Sequence, residues 1–289
     1  MSSMEAQLLR HAMLWAREAG TLMKKMLDDE LHIEQKKNDS DLVTQADRRC
    51  EELLRNRLAQ VYPGHWILGE EMDGGIDSYT AFKQRGGGYG WIIDPIDGTT
   101  NYIHRIPHFA VSIGIVKDGQ PVAGVVYNPL TDELFHAVKG GGAYLNDARI
   151  QVSQKERRLS EAVLATGFYA GDWHEESEAL PQIKRFVGSC RNLRMNGAAS
   201  LDLCWVACGR LTGFWHRGLH PWDAAAGSLI VTEAGGRVTD RFGAAFHLAM
   251  DSLVATNGWT HDEITSIFLM DVEESYVVWR DKEEKAFKS

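Results

Sequence analysis

The sequence predicts a mixed α/β protein built from two subdomains packed around one cleft. Three observations lead there. Residues 5–29 and 44–58 space their apolar side chains at the helical period. Residues 91–150 switch to short runs rich in β-branched and aromatic residues, punctuated by Asp-Gly, Asn-Pro and Gly-Gly turns. Beyond about residue 153, strand-like and helical stretches alternate, with no linker to separate the halves. We therefore divide the chain into residues 1–152, an α+β subdomain with an antiparallel sheet, and residues 153–289, an α/β subdomain that completes the site.

The first helix is expected over residues 5–29, with Leu8, Leu9, Ala12, Leu14, Trp15, Ala19, Leu22, Met23 and Met26 at near-helical spacing; Asp28 and Asp29 oppose the dipole at its end. A second should start near Thr44. Thr44 and Asp47 have the spacing of a capping box with Asp in place of Glu, and Ala46, Cys50, Leu53, Leu54 and Leu58 form the buried stripe. Strands are expected at Trp91 to Ile93, Phe109 to Val116, Val122 to Tyr127 and Leu134 to Val138, joined as an antiparallel meander by the Asp118-Gly119 hairpin, the reversal at Asn128-Pro129 and the break at Gly140 to Gly142. Further on come a strand at Ala162 to Thr166, helices at Trp173 to Val187 and Ser200 to Arg210, and a strand at Gly213 to His216. A helix from Asp223 to Ala234 ends at Gly235-Gly236, a strand covers Leu253 to Thr256, and a short helix covers Asp262 to Leu269. Asp281 to Ser289 reads as a charged, frayed tail, and Arg85 to Gly90 as a flexible glycine-rich loop.

Composition excludes several functions. At 289 residues, 44% hydrophobic, the chain can bury a substantial core, so disorder is not expected. A formal charge of −9 argues against a general nucleic-acid binder, which needs a basic face. The four cysteines include no Cys-x-x-Cys pair, and Cys204 and Cys208 read as buried thiols on one helical face. No basic segment followed by an apolar run opens the chain and no stretch of eighteen apolar residues occurs, which predicts a cytoplasmic protein without a membrane partner. His104 and His108 flank Pro107 without the glutamate of a zinc protease, so zinc is not expected.

The chemistry is concentrated in acids placed at the ends of apolar runs. Trp91-Ile92-Ile93-Asp94-Pro95-Ile96-Asp97-Gly98-Thr99 is a strand that stops in two carboxylates around a proline. Pro95 biases Asp94 toward extended backbone and Gly98 permits a tight turn, so both acids can be held at one spot. Two such carboxylates repel unless a cation lies between them, and Mg²⁺ prefers oxygen ligands. If Thr99 opens a helical turn, the Gly98 and Thr99 amides can receive phosphate oxygens. The same letters also make an ordinary turn. Glu70 and Glu71 follow Trp66-Ile67-Leu68 in the same manner, while Asp223 opens an Ala-rich helix, where a carboxylate is also at home for helix reasons alone.

Together, Lys36, the Asp41-Leu42-Val43-Thr44-x-x-Asp47 segment, Gly69-Glu70-Glu71, Asp94 to Asn101, Gly197-Ala198-Ala199 and Trp222-Asp223-x-Ala225-Ala226-Gly227 resemble the inositol monophosphatase family, as do Gly140 to Asn146 and Glu233 to Gly236. The resemblance implies an α-β-α-β-α layered sandwich of the sugar phosphatase type, a homodimer, lithium sensitivity and two or three Mg²⁺ ions. It implies one ion on Glu70, Asp94 and the Ile96 carbonyl, a second on Asp94, Asp97 and Asp223, and a third on Glu70 and waters. It further implies in-line attack by metal-activated water, with Asp47, Glu70 and Thr99 catalytic. Asp97, Gly98, Thr99, Gly197, Ala198, Ala199 and Asp223 would contact the substrate. His216 stands where inositol-specific members carry Glu, so it reads equally as a substrate contact or a structural histidine. The expected activity is hydrolysis of inositol monophosphate or a related sugar or polyol phosphate. Fructose 1,6-bisphosphate, histidinol phosphate, 3′-phosphoadenosine compounds and NADP are alternatives on the same site. A regulatory RNA- or transcription-associated protein is the alternative of another class.

Overall fold

The structure is a computed structural model that describes residues 3–27, 33–35, 42–73, 87–168, 177, 179–250 and 252–270. Lys36, Asp41, Asp28, Asp29, Trp173, Arg85, Gly86 and the 281–289 tail lie outside the described residues.

In chain order, helix α1 (Ser3–Leu27) is followed by the short antiparallel pair β1 (Ile33–Gln35) and β2 (Leu42–Thr44), helix α2 (Gln45–Val61), β3 (Trp66–Gly69) and the single turn α3 (Glu70–Asp73). Then come β4 (Tyr89–Asp97), the short helix α4 (Thr99–Ile103), and the ladder β5 (Ala110–Lys117), β6 (Gln120–Asn128), β7 (Glu133–Val138), β8 (Gly142–Leu145) and β9 (Ala148–Ile150). The remainder is β10 (Val163–Ala165), α5 (Ala179–Ser189), β11 (Asn192–Arg194), α6 (Ala199–Ala207), β12 (Gly213–Arg217), α7 (Pro221–Glu233), β13 (Arg237–Thr239), β14 (Ser252–Thr256) and α8 (261–270).

Two sheets organise these elements. The larger has the order β3-β4-β5-β6-β7-β8-β9; only β3 joins it parallel, and the rest is the expected meander. The smaller is mixed, with the order β11-β10-β12-β14-β13. Alternation along the strands sorts the core. On one face of the large sheet, Trp91, Ile93, Val111 and Val125 pack under Leu8, Ala12, Trp15, Leu54 and Leu58 of α1 and α2. Each of those leucines contributes roughly 1.5–3 kcal/mol by burial. On the other face, Val126 and Phe135 meet Leu203, Ala226 and Ile230 of α6 and α7, which also cover Phe214 and Leu253 of the small sheet. Beyond that sheet, Leu164, Trp215 and Val254 pack against Phe186 of α5 and Ile264 and Phe268 of α8. The order of layers is α-β-α-β-α, as expected.

Local expectations differ from the structure at several boundaries. Tyr89 and Gly90 are not loop but open β4, because Gly90 pairs with Trp66 and Tyr89 with Lys117. Of the helix expected from Trp173, the described part is Ala179–Ser189, where the Ser177 hydroxyl accepts the Ala179 N–H at 3.2 Å; the expected start lies outside the described residues. Helix α7 begins two residues before Asp223, with Pro221 at its first position, where a missing N–H does no harm. Gly140 to Gly142 turn the chain without ending the sheet, since Val138 still faces Gly142 across the ladder. Among the described residues, no helix is long and apolar enough to cross a membrane.

Candidate metal centre and cleft

Strand β4 delivers the first two acids. In a regular strand, residues three apart face opposite sides of the sheet. Here Asp94 pairs with Ser112 and Asp97 with Ala110, so β4 carries one extra residue at this point. Pro95 has no N–H to give to a ladder, and a bulge is where a strand accommodates it. The bulge turns both carboxylates to one side. At Gly98, φ is 87°. That left-handed conformation lets the backbone pass from β4 straight into α4, and glycine adopts it without strain.

The third acid arrives from the opposite half of the chain. Helix α7 lies close on the large sheet, where a Cβ on Gly114 would come within 2.5 Å of the Ala225 Cβ. That approach carries Asp223, in the first turn of α7, to the end of β4. Oxygens of Asp94, Asp97 and Asp223 all lie within 4.8 Å of one another. Glu70, at the start of α3, adjoins Asp94, on which its carboxyl acts by charge and by hydrogen bond.

The electrostatics are those of a cation site. Burial, then the charges of Glu70, Asp97 and Asp223, push the Asp94 carboxyl well above the ordinary carboxylate range. Asp97 is pushed up to about 6, again mainly by burial, although hydrogen bonds from Ser200 pull it down. Such a cluster of oxygen donors fits Mg²⁺, whose charge offsets their repulsion.

Each carboxylate is also held in place. The Asp94 Oδ1 accepts the Ile96 N–H at 3.0 Å. Asp97 accepts the N–H groups of Ala199 at 3.2 Å and Ser200 at 2.7 Å, and the Ser200 hydroxyl at 2.5 Å, so it caps α6 from 103 residues away. Asp223 Oδ2 accepts the His220 N–H at 2.7 Å. Asp47 divides its two oxygens: Oδ2 accepts the Thr44 N–H at 2.8 Å and the Thr44 hydroxyl at 2.5 Å, whereas Oδ1 faces the Thr99 hydroxyl at 3.2 Å. The helix-cap reading and the functional reading of Asp47 are thus compatible in one side chain. The Thr99 hydroxyl also lies 3.1 Å from the Ile96 carbonyl oxygen, so its one hydrogen has two acceptors within reach.

Asp97 and Asp223 open onto a cleft of about 340 Å³, bounded by Gly197, Ala198, Ala199, Thr166, Phe168 and His216 among others. The sequence-predicted residues of both halves therefore meet. His216 is half-buried on the cleft wall and donates Nδ1–H to the Arg217 carbonyl at 2.5 Å. His108 is buried, its ring edge-on to Trp205 and its Nε2 3.3 Å from Asp202, while His104 is exposed. Cys204 is buried, and burial raises its thiol far above the ordinary range, as an inert core cysteine should be.

Sequence reasoning missed three supporting residues. Ser200 reads only as a helix start. Asn101 ends the Asp94 motif, yet its Nδ2 bonds the His108 and Asn196 carbonyls, each at 2.7 Å, tying the Thr99 turn to the Gly197 segment. Glu51, an acid four residues after Asp47 among the apolar Ala46, Cys50, Leu54 and Leu58, carried a signal: a charge there demands a buried partner.

Comparison with known proteins agrees with this fold. A model of the inositol monophosphatase family matches residues 4–272. The chain is 42% identical over 221 residues to an inositol-1-monophosphatase of Rhizobium meliloti, covering 76% of this chain and 80% of that protein. It is 40% identical over 252 residues to the Nus factor SuhB of Vibrio cholerae, covering 86% and 91%. The solved structure of an IMPase of Thermotoga maritima matches with a TM-score of 0.82 at 33% identity, covering 93% of this chain and 99% of that one.

Proposed function

The chain belongs to the inositol monophosphatase family of phosphomonoester hydrolases, and from that premise we propose that it is a Mg²⁺-dependent phosphatase of inositol monophosphate or a related small sugar or polyol phosphate. The observation that carries the reading is the convergence of Asp94, Asp97 and Asp223 within 4.8 Å, beside a Thr99–Asp47 pair. Glu70, Asp94, the Ile96 carbonyl, Asp97 and Asp223 would hold two or three ions. When bound, magnesium supplies positive charge to phosphate oxygens and lowers the pKa of water.

The chain's own groups have distinct tasks in an in-line displacement. Thr99 orients the attacking water, and Asp47 takes up its proton through or beside the Thr99 hydroxyl. Amides of Gly98 and Thr99 receive phosphate oxygens. Asp97, Asp223 and the segment Gly197 to Ala199 contact the alcohol portion, and His216 offers an imidazole nitrogen where inositol-specific members offer a carboxylate. A cleft of about 340 Å³ supports a small substrate. In this reading the ions sit between residues 1–152, which supply Asp47 to Thr99, and residues 153–289, which supply Asp223 and the cleft wall. A homodimer and inhibition by lithium belong to the same proposal.

Phosphate release from a panel of phosphomonoesters tests it. Release should require Mg²⁺ and vanish in Asp94→Asn with folding intact; metal-independent release, or full activity of the variant, refutes the mechanism. Relative kcat/KM on the same panel separates polyol phosphates from fructose 1,6-bisphosphate, histidinol phosphate, 3′-phosphoadenosine compounds and NADP. The similarity to a Nus factor supports a second reading, a transcription-associated role. The Asp94→Asn protein would still perform such a role in the cell, whereas it would fail in a purely catalytic one.

A further inference from the structure

Glu51 is a fully buried carboxylate with no task in the reaction above. It sits one turn beyond Asp47 on α2, so the two acids project from the same helix face. Its Oε2 accepts the Glu71 N–H at 2.7 Å, and its Oε1 accepts Arg55 Nε at 2.7 Å and the Met72 N–H at 3.3 Å. Arg55 then pairs through Nη2 with Asp73, whose Oδ2 also accepts the Gly69 N–H at 2.9 Å. The segment 69–73 is therefore gripped at Gly69, Glu71, Met72 and Asp73, and the residue in the middle of those contacts is Glu70. Gly69 is part of the same fit: a Cβ there would overlap the Glu51 carboxylate.

A buried charge is expensive unless paired and hydrogen-bonded, and an apolar residue would serve helix packing better. What the carboxylate adds is direction, since its oxygens accept amide hydrogens along fixed lines. We infer that Glu51, assisted by Arg55 and Asp73, is the positioning residue for Glu70. It sets the turn that presents Glu70 to Asp94, and it references that turn to the helix face that presents Asp47 to Thr99. Two acids from separate elements thereby share one frame. The inference rests on the metal-dependent reading given above.

The test is calorimetric titration with Mg²⁺, without substrate, of the native protein, Glu51→Gln, Asp73→Asn and Asp94→Asn. Gln keeps the size of Glu but turns an N–H toward one of the donors that Glu51 accepts. The Mg²⁺ dissociation constant should rise about 10–100-fold in Glu51→Gln, with Asp73→Asn toward the lower end of that range. In both variants kcat should recover at saturating Mg²⁺ while substrate KM stays near native, a split that a merely destabilised protein would not show. Asp73 is partly exposed, so its variant remains decisive if Glu51→Gln does not fold. Folded variants with the native Mg²⁺ constant overturn the positioning role, as does a lowered melting temperature with the Mg²⁺ constant unmoved. If the native protein and Asp94→Asn both give no Mg²⁺ heat, the metal-dependent reading falls and takes this inference with it. Native binding with unaltered Glu51→Gln removes the inference alone.

Discussion

Asp47→Asn separates the two jobs that the proposed mechanism gives one carboxylate. In the native protein Oδ2 is committed to Thr44, accepting its N–H and its hydroxyl, and Oδ1 is committed to Thr99 at 3.2 Å. Asn has one acceptor. Placed at Thr44, it preserves the start of α2, and the loss of cap stability stays below about 1 kcal/mol. The amide nitrogen then faces Thr99 as a donor, which reverses the polarity of that hydrogen bond and removes the proton acceptor. Loss of a general base lowers kcat by roughly 10²–10⁴, equivalent to about 2.7–5.4 kcal/mol of barrier. Asp47→Ala should lose as much kcat and in addition about 1–3 kcal/mol of stability, because the buried Thr44 N–H loses its acceptor. At about 2–4 °C per kcal/mol, its melting temperature falls visibly below that of Asp47→Asn. Steady-state rates at saturating Mg²⁺ and substrate, beside thermal melts of both variants, complete the comparison. A kcat for Asp47→Asn within about threefold of native, less than 1 kcal/mol of barrier, refutes the division of labour.

Two further predictions concern the scaffold. Asn101→Ala removes both donors that hold the His108 and Asn196 carbonyls; stability should fall by about 2–4 kcal/mol and substrate KM should rise as the Gly197 segment loosens from the Thr99 turn, so an unchanged melt and KM would contradict the clamp. The buried His261 lies between Thr239 Oγ1 at 2.8 Å and Thr256 Oγ1 at 2.9 Å. Thr239 already donates to the Asp240 carbonyl, so His261 donates Nε2–H to it and accepts at Nδ1 from Thr256. Burial first, then the Arg237 charge, lowers this histidine from 6.5 to about 4. Because the native state prefers the neutral ring, the stability it contributes is complete above pH 6.5 and declines as pH falls toward 4. The loss is on the order of 2 kcal/mol. Urea unfolding at both ends of that window should show it in the native protein and not in His261→Asn; equal acid sensitivity in the two would refute the assignment.

Asp47 and Asp223 show why sequence reading alone left the site ambiguous. Both occupy the third position of a helix and both accept the N–H of the residue three before them. Any sequence with good helix starts could carry them. Asp94 and Asp97 were more legible, because a strand ending in Asp-Pro-x-Asp-Gly combines a rigid φ, a missing donor and a turn residue within five positions. Even there, period-two alternation predicts opposite faces, and only the bulge against Ser112 and Ala110 reverses that outcome.

By itself, the sequence determined what depends on neighbours within about one helical turn or one hairpin: the elements and their periods, the meander, the cap at Thr44, and the oxygen-rich character of the acids at element ends. Tertiary structure alone decided which oxygen meets which partner. Thr99 meets Asp47 across 52 residues and Asp97 caps a helix 103 residues away. Glu51 meets the Glu71 and Met72 amides only because α2 packs beside the 69–73 turn. Hydrogen bonds and carboxylate repulsion act over a few ångströms, so their partners are chosen by the packing of layers, which local spacing along the chain does not encode.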